Sequence, residues 1–389
     1  MDSRVLWLWL QHALGAGSRK HPLILEKFGD LETFWNAGPA VWNEQAYLTP
    51  KMRRALKTFT LDDAQGLLEY AEKLGQQILT PDMPAYPEKL RVLPDYPCAL
   101  FIKGQMPPVD YLLTVAMVGT RKATYDGLHA ARRFAREIAK AGAIIVSGGA
   151  LGVDTQAHLG ALDADAYTVC VLGCGLEQEY LMANADLRAR IARFGALISE
   201  YPPGTVAMGS NFPIRNRIIS GLSDAVVVVE AAQKSGSLIT AHCALDQGRD
   251  VFAIPGSVEN RNACGTNALL SDGAIPASTP DDVLRYYETR YQLRVPMQPQ
   301  VSPPSRTAAA PKPEKRPGKP AKPAVDLSQF SDAAKTLYEA LDGDKTVTMD
   351  KLCADTGLPV YKLLAAATEL ELMGLIEGAS GQRYRRKGK

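Results

Sequence analysis

The spacing of apolar residues changes along the chain, and these changes divide the chain into segments of different predicted structure. Up to about residue 105, apolar residues recur at helical spacing and strand-like runs are scarce. Around the run Leu14-Gly15-Ala16-Gly17 the pattern predicts a helix, a tight glycine turn and a second helix. Helix-hairpin-helix modules use such a turn to offer N–H groups to a phosphate, but a glycine between two packed helices needs no ligand, and we favour this structural role. We assign residues 1–80 to a helical module, of helix-hairpin-helix or SAM-like type.

Between residues 111 and 278, continuous apolar runs alternate with helical stretches. Apolar strands joined by helices predict a parallel sheet that is covered on both faces. We therefore predict an α/β fold with an extended Rossmann-like core over residues 81–290. Ligands of such sheets bind at the loops that follow the carboxyl ends of the strands. The predicted strands are 112–118, 143–147, 167–172, 196–199, 225–229 and 251–254, and the predicted helices are 128–140, 154–162, 217–222 and 240–246.

The pattern stops at a Pro/Lys-rich linker, residues 291–325, and resumes in a small tail. Residues 296–325 carry six Lys and Arg against a single Glu and have no aromatic residue, which is typical of a solvated spacer. A weak electrostatic tether for nucleic acid is the functional alternative. In the tail, residues 326–389, the order of helices 331–341, 349–355 and 360–373, strand 346–348 and hairpin 375–384 predicts a winged helix.

The last tail helix carries Lys362 against Glu369 and Glu371. It is poor in the Arg and Asn side chains that read base edges, so sequence-specific recognition of DNA is not favoured. A protein contact and a weak duplex contact through the basic end of the tail stay open, and a transcription regulator is the least favoured class.

Composition narrows the class of protein. Hydrophobic residues make up 46% and charged residues 22%, with a net charge of +2, so binding of a polyanion would have to depend on local basic clusters. No apolar run is long enough to span a membrane, and the start lacks the features of a signal peptide, so we expect a cytoplasmic protein. The six cysteines are scattered without a CxxC pair. We expect buried free thiols, with no metal and no disulfide.

Four loops after predicted strands combine glycine with hydroxyl, basic or aromatic residues. Glycine lets the backbone approach a ligand closely, and the N–H groups at a helix start favour anions. Arg and Lys add charge, so the loops together predict a site for phosphates. The candidate residues are Gly119, Thr120 and Arg121 in the first loop, Ser147, Gly148 and Gly149 in the second, Phe212, Arg215 and Asn216 in the third, and Lys234, Ser235, Gly236 and Ser237 in the fourth.

Sequence motifs narrow the class of phosphate ligand that this site could bind. No GxGxxG follows the first strand and no GxxxxGK[ST] occurs, so neither a dinucleotide cofactor nor Walker-type ATP hydrolysis is favoured. Basic residues from several loops suit a polyanion, and Phe212 beside Arg215 and Arg217 suits single-stranded nucleic acid, whose bases stack while its phosphates pair. Phe212 could equally be a core plug held by Pro213.

Residues that suggest catalysis have simpler explanations. Asp154 and His158 are four residues apart on one helix face, but Asp154 is better explained as a helix cap and His158 as a hydrogen-bonding partner. For Glu230 we expect an ion pair with Lys234 or Arg217. Paired carboxylates that could hold two metals are not evident. We therefore predict no catalytic residue, no metal and no cofactor.

Several long motifs occur in a fixed order: VGTRKAT, SGGALGVD, FPIRNRIISGLSDAVVVVEA, KSGSLITA, FAIPGS and GTNALLSDGA. This set of motifs resembles the DNA-processing protein A (DprA/Smf) family, strongly over residues 80–277 and weakly elsewhere. Thr120 stands where the family commonly has Ser, and both residues offer a hydroxyl. The resemblance implies non-catalytic binding of single-stranded DNA during natural transformation, with Arg121 as a phosphate contact, Phe212 facing a base and residues 234–237 as a second phosphate loop.

The resemblance also implies partners. It implies a homodimer that protects incoming DNA and loads a RecA-type recombinase, with single-strand-binding protein as a further possible partner. An apolar face for the dimer could come from Leu269, Leu270, Val283, Leu284, Tyr286 and Tyr287, which could equally complete the core of one monomer.

A second class of protein stays open beside this one. Related Rossmann-like enzymes cleave nucleoside monophosphates and carry a PGGxGTxxE motif. This chain reads Pro255-Gly256-Ser257-Val258-Glu259 at the similar place, without the paired glycines and the threonine, which argues against a phosphoribohydrolase.

Overall fold

The computed structural model describes residues 2–179, 181–293, 330–341, 346–379 and 383–386. Its contacts form two units, residues 1–300 and 301–389. The first unit holds five N-terminal helices, α1 Ser3–Leu14, α2 His21–Phe28, α3 Leu31–Glu44, α4 Pro50–Thr58 and α5 Leu61–Lys73. Its strands are β1 Gln77–Leu79, β2 Leu100–Gly104, β3 Thr114–Val118, β4 Ile144–Ser147, β5 Thr168–Leu172, β6 Ala196–Ser199, β7 Ala225–Val228, β8 Asp250–Ala253 and β9 Ile275–Pro276. The remaining helices are α6 Glu88–Arg91, α7 Tyr125–Lys140, α8 Val153–Asp163, α9 Ala185–Phe194, α10 Asn211–Gly221, α11 Gly236–Asp246, α12 Cys264–Ser271 and α13 Pro280–Tyr287.

The N-terminal helices start at polar caps and enclose an aromatic core. Asp2 caps α1 and Thr60 begins α5 with a reciprocal capping box, which satisfies N–H groups that a helix start leaves unpaired. Trp9 is fully buried, with Trp35 edge-on at 4.8 Å and Phe34 at 5.9 Å between ring centroids. The same apolar core continues into one face of the sheet, so these helices pack directly on the strands.

The sheet confirms the predicted α/β class. Its nine strands lie in the order β1-β2-β6-β5-β4-β3-β7-β8-β9, parallel from β6 to β9 and antiparallel at β1 and β2. Strands β3 to β8 match the predicted strands, and only β8 begins outside its predicted range, by one residue. The match is close because strands that are buried on both faces form continuous apolar runs in the sequence. Chain order reverses at β3, which has β4 on one side and β7 on the other. The space beside the carboxyl ends of β3 and β7 is therefore the place where such sheets bind ligands.

Several predictions about elements were wrong. Helices α6, α9, α12 and α13 were missed, and helix α11 begins at Gly236 and not at residue 240. Strands β1, β2 and β9 were missed: β1 and β9 have only three and two residues, and β2 joins the sheet through antiparallel pairing with the distant β6. Helix α10 begins at Asn211 and not at Arg217, so Phe212, Arg215 and Asn216 lie on a helix and not on a loop. Pro213 fits there because the first turn of a helix has no internal partner for its missing N–H.

The residues suggested for a dimer face mostly complete the core of this unit. Val283, Leu284 and Tyr287 are at most 3% exposed and Leu269 is 5% exposed, whereas Tyr286 is 51% exposed. Helical spacing suggested that several of these residues share one apolar face, but Leu269 packs in the core on one face of the sheet, whereas Val283, Leu284 and Tyr287 pack in the core on the other face. The sequence support for a dimer interface at this place is therefore withdrawn.

The second unit has the predicted winged-helix order. It contains α14 Asp332–Ala340, β10 Val347–Thr348, α15 Met349–Thr356, α16 Val360–Leu372, β11 Ile376–Ala379 and β12 Arg383–Arg386, with a sheet in the order β10-β12-β11. Leu337, Leu352, Leu363 and Leu370 are fully buried and join the three helices. The predicted linker lies outside the described residues except for 291–293.

Three further expectations concern cysteines, metals and membranes. Cys98, Cys170 and Cys174 are buried free thiols as expected, but Cys243 and Cys353 are partly exposed and Cys264 is exposed. Within the described residues, no group of three or more His, Cys, Asp or Glu is placed to hold a metal ion. Across the same ranges, no helix has both the length and the apolarity to cross a membrane.

Candidate functional site

A cavity of about 460 Å³ opens at the reversal of strand order, beside the carboxyl ends of β3 and β7. Loops from distant parts of the chain meet there, as the sequence predicted. Nine of the candidate residues line it: Gly119, Thr120, Arg121, Phe212, Arg215, Asn216, Ser235, Gly236 and Ser237. Lys122, Asp154 and Asn262 contribute to the same lining.

The start of helix α11 forms one wall of the cavity. Ser235 is its N-cap, and the Ser235 and Ser237 hydroxyl oxygens lie 2.8 Å apart. Ser235 Oγ accepts from the Ser237 N–H at 3.4 Å, and Gly236 has open space around its Cα. Backbone N–H groups at a helix start carry a partial positive charge, so this wall favours an anion.

Phe212 lines the same cavity and lies close to two guanidinium groups. The Arg121 Cζ lies 5.5 Å and the Arg215 Cζ 5.8 Å from the centroid of its ring. The ring is partly exposed and rests on Gly173, where an added Cβ would come within 3.1 Å of it. One side of the Phe212 ring packs against the sheet, and the other side lines the cavity. Each of the two interpretations of Phe212 therefore describes one side of the ring.

The two arginines differ in exposure. Arg121 is exposed at the rim, whereas Arg215 is only 5% exposed. Arg215 Nη1 donates to the Gly148 carbonyl at 2.9 Å and to the Val171 carbonyl, which joins helix α10 to the strand ends. Of these two arginines, Arg121 is therefore the one that a large ligand can reach, and Arg215 supplies positive charge from within the wall.

Four candidate residues lie outside the cavity lining. Ser147 is buried and donates to the Met117 carbonyl at 2.7 Å, so it holds two strands together. Gly148 and Gly149 build the turn behind the cavity, where an added Cβ would meet Arg215 at 2.7 Å and Cys170 Sγ at 2.6 Å respectively. Lys234 is exposed on the loop that leads into α11, outside the cavity but on the same edge of the sheet.

Asp154 and His158 have structural partners. Asp154 Oδ2 accepts from the N–H groups of Gly148 and Ala150 at 3.1 and 3.3 Å, so it fixes the glycine turn and does not cap the helix, whose N-cap is Gly152. Burial raises the pKa of Asp154 to about 6, and the nearby Arg215 opposes the rise. His158 Nδ1 pairs with Thr168 Oγ1 at 2.7 Å, and burial lowers its pKa to about 3.

Glu230 is the site residue that sequence reasoning misassigned. The predicted ion pair with Lys234 or Arg217 is wrong: Arg217 pairs with Glu200 at 2.6 Å, and the Glu230 carboxylate pairs with no cation among the described residues. The Glu230 carboxylate accepts from the Thr124 N–H at 2.9 Å, from the Thr124 hydroxyl at 2.6 Å and from Asn260 Nδ2 at 3.2 Å. It therefore ties the loop carrying Arg121 to a loop after β8.

That loop after β8 was missed as part of the site. Asn262 lines the cavity, and its Nδ2 donates to the Lys122 carbonyl at 2.9 Å. The segment from Pro255 to Asn262 contains Gly256, Ser257 and Arg261, the residue types by which the other loops were found, but it was compared only with the motifs of related families. These residue types and the position at the carboxyl end of β8 could both have indicated it.

The chain matches the family model described as DNA recombination-mediator protein A over residues 77–288 and that of the DprA winged helix domain over residues 306–382. It belongs to the DprA/Smf family. Protein Smf of Escherichia coli K12 is 34% identical over 88% of this chain and 86% of that protein. The resemblance read from the motifs is thereby confirmed.

Solved structures of the family share the fold. The X-ray structure of DNA processing protein A from Streptococcus pneumoniae has a TM-score of 0.62 and 30% identity, covering 71% of this chain and 95% of that one. DNA processing protein A from Helicobacter pylori, described in a study of its single-stranded DNA binding mode, has a TM-score of 0.50 and 33% identity, covering 55% of this chain and 97% of that one.

Proposed function

We propose that this chain binds single-stranded DNA without catalysis, across the cavity at the strand ends and the loops around it. The observation that carries the proposal is the partly exposed Phe212 ring, which lies close to the guanidinium groups of Arg121 and Arg215 and lines the same cavity as the start of α11. An aromatic face among cations suits a strand whose bases are unpaired. The Helicobacter pylori relative, whose study concerns its single-stranded DNA binding, supports the same ligand class.

Each wall has a separate part in this binding. Phosphates would meet Arg121, Lys122 and the N–H groups at the start of α11, while Lys234 extends the positive rim. A base would stack on Phe212, and the amide of Asn216 and the hydroxyl of Ser237 would pair with polar groups of the nucleotide. The remaining candidates, Ser147, Gly148 and Gly149, would support this surface from behind.

The test is a titration of labelled oligo-dT and a duplex of equal length at two salt concentrations. Arg121→Ala and Lys234→Ala should each weaken binding and lower the salt slope by about 0.7, the share of one released counterion on a single strand. Arg193→Ala is the matched control, since Arg193 is exposed at the end of α9, next to the amino end of β6 and so at the opposite edge of the sheet. If both variants bind oligo-dT like the parent at both salts, the site is misplaced.

Absence of catalysis is part of the proposal. The acidic residues near the cavity hold N–H groups of the loops, and the chain lacks a Walker loop and a PGGxGTxxE motif. Incubation with ATP, an oligonucleotide and AMP should give no turnover and no free adenine. Turnover of any of the three that survives purification and is lost in Asp154→Asn would overturn this part, and release of adenine from AMP would favour the phosphoribohydrolase alternative.

The family supports a wider role. We propose that the protein acts in the cytoplasm as a homodimer during natural transformation, where it protects incoming strands and loads a RecA-type recombinase on DNA covered by single-strand-binding protein. Two linked sites would raise affinity without new contacts, provided that one strand reaches both. Light scattering at tens of micromolar tests the dimer, and a monomer would refute it. The protein should accelerate strand exchange by the host recombinase on coated strands. If it gives no acceleration at any ratio of protein to recombinase, the chain binds DNA but does not load the recombinase.

A further inference from the structure

Helix α10 has a second face that points away from the cavity. Phe212 and Asn216, four residues apart, line the cavity, whereas Ile214 and Arg217 lie on the other side of the helix by its 100° spacing. Ile214 and Arg217 meet the turn between α1 and α2. A Cβ added to Gly17 would lie 2.8 Å from Ile214 Cγ2 and 3.5 Å from Arg217 Nε.

A buried carboxylate joins the same turn to the same helix. Glu200 Oε1 accepts from the Gly17 N–H at 3.2 Å, and Glu200 Oε2 accepts from Arg217 Nη2 at 2.6 Å. The side chains of Arg217 and Glu200 are 7% and 2% exposed. Gln11 Nε2, from helix α1, donates to the Glu200 carbonyl. The Gly17 N–H, which a helix-hairpin-helix module would offer to a phosphate, is thus used inside the protein.

These contacts can fix both the distance and the rotation of α10. Gly17 has φ +71°, a conformation that side-chain-bearing residues rarely adopt, and its missing Cβ is what lets Ile214 approach. The ion pair between Arg217 and Glu200 is buried and directional, so rotation of the helix would break it. A helix turn is rigid over two residues, so a shift at Ile214 moves Phe212 as well.

We propose that Gly17, acting with Glu200 and Arg217, is a positioning residue for DNA binding: it sets the place of the Phe212 ring relative to the start of α11 without touching the strand. This inference rests on the proposed function of the cavity. It gives the N-terminal helices a part in strand binding that needs no contact between them and DNA.

Gly17→Ala is the decisive change, and the chain offers a matched control. Gly75 has the same φ of +71° in the turn after α5, but nothing lies within 4 Å of an added Cβ. Gly75→Ala therefore imposes the same cost at φ without pressing on α10. Adding Ile214→Ala to Gly17→Ala removes the Cγ2 that the new methyl group would meet, and so separates pressure on α10 from strain in the turn.

Oligo-dT dissociation constants would be measured well below the melting temperature of each variant. Gly17→Ala should weaken binding by about 3- to 30-fold, the range of mutations that act on a site through packed neighbours. Gly75→Ala should bind like the parent, and the Gly17→Ala, Ile214→Ala pair should recover most of the loss. Parental affinity in folded Gly17→Ala, an equal loss in Gly75→Ala, or a loss that Ile214→Ala does not relieve would each overturn the proposal.

Two additions keep the result decisive. If Gly17→Ala does not fold, Glu200→Gln keeps the shape of the side chain and removes the charge that holds Arg217, and parental affinity in that variant would overturn the proposal. Arg121→Ala, measured in parallel, separates the two hypotheses. If Arg121→Ala binds like the parent, the proposed site itself fails, whereas loss in Arg121→Ala with none in Gly17→Ala refutes positioning alone.

Discussion

Replacing Phe212 tests whether the ring recognises a base or merely fills space. In Phe212→Ala the cavity loses its aromatic face and Gly173 loses the ring that packs on it. Phe212→Leu retains apolar volume against Gly173 but removes the π-face, and Phe212→Tyr retains the ring. The three variants together separate stacking from packing.

The expected losses of affinity and of stability depend on how the Phe212 ring is used and how far it is buried. Stacking of one base on an aromatic side chain contributes about 1–3 kcal/mol, which corresponds to about 5- to 150-fold in Kd. Truncation of a fully buried Phe costs about 3–5 kcal/mol of stability. Since the Phe212 ring is only partly buried, we expect Phe212→Ala to cost about 2 kcal/mol of stability, less than a core plug would.

The assay is a fluorescence anisotropy titration of oligo-dT beside a thermal melt of each variant. Phe212→Ala and Phe212→Leu should both lose affinity, Phe212→Leu with little loss of stability, and Phe212→Tyr should bind like the parent. Phe194→Ala is the control, since Phe194 is a 45% exposed ring at the end of α9 that also has an arginine, Arg193, over it at 5.7 Å. Stacking is refuted if Phe212→Leu binds like the parent, or if Phe212→Ala melts early but binds normally when folded.

Two further predictions concern the supports of the site. Glu230→Gln should lower the free energy of unfolding by about 1–3 kcal/mol, because the amide cannot accept all three hydrogen bonds. It should also weaken oligo-dT binding, because the loop that carries Arg121 is held less firmly. Denaturant unfolding would measure the first effect and titration the second, and a parental Kd would contradict the second. On acidification, stability should fall below pH 6.5, because burial lowers the pKa of His21 to about 4 and of His158 to about 3, so that the unfolded chain takes up protons first. The loss is about 2 kcal/mol per histidine between pH 6.5 and 5, and Asp154, whose pKa is raised to about 6, opposes it below pH 6. Denaturant unfolding at pH 7 and pH 5 would measure the fall, and His21→Gln should reduce it; equal stability at both pH values would contradict the reasoning.

The sequence predicted the central sheet and the meeting of its loops for a physical reason. Parallel strands that are buried on both faces must be apolar throughout, and their carboxyl ends share one edge, so loops that are distant in sequence were expected to converge. Arg121, Phe212 and Ser235 do converge on one cavity. Whether they bind DNA stays a prediction that the titrations above would test.

The missed features depend on tertiary contacts that local pattern does not encode. Strand β2 reads as an ordinary apolar run, and its place in the sheet comes from antiparallel pairing with β6, almost a hundred residues later. Asn262 belongs to the cavity because its loop is held by Glu230 through Asn260. The six apolar residues near the end of the core lie on two helices, α12 and α13, and their spacing alone could not show that these helices pack on opposite faces of the sheet of their own chain.

Three buried acids, Asp154, Glu200 and Glu230, have the same kind of role in fixing loops, although Glu200 does so on the side of α10 that points away from the cavity. Asp154 accepts from the glycine turn behind it, Glu230 from the cap of helix α7 and from the loop after β8, and Glu200 from the turn that supports α10. A carboxylate that accepts several N–H groups fixes a loop without needing an apolar core, which suits the solvent-facing edge of a sheet. Because these acids are engaged in hydrogen bonds to the loops, the exposed Arg121 and Lys122 at the cavity are the charged side chains that an anionic ligand would meet. The arrangement of the acids therefore supports the proposed binding of a polyanion without relying on Phe212.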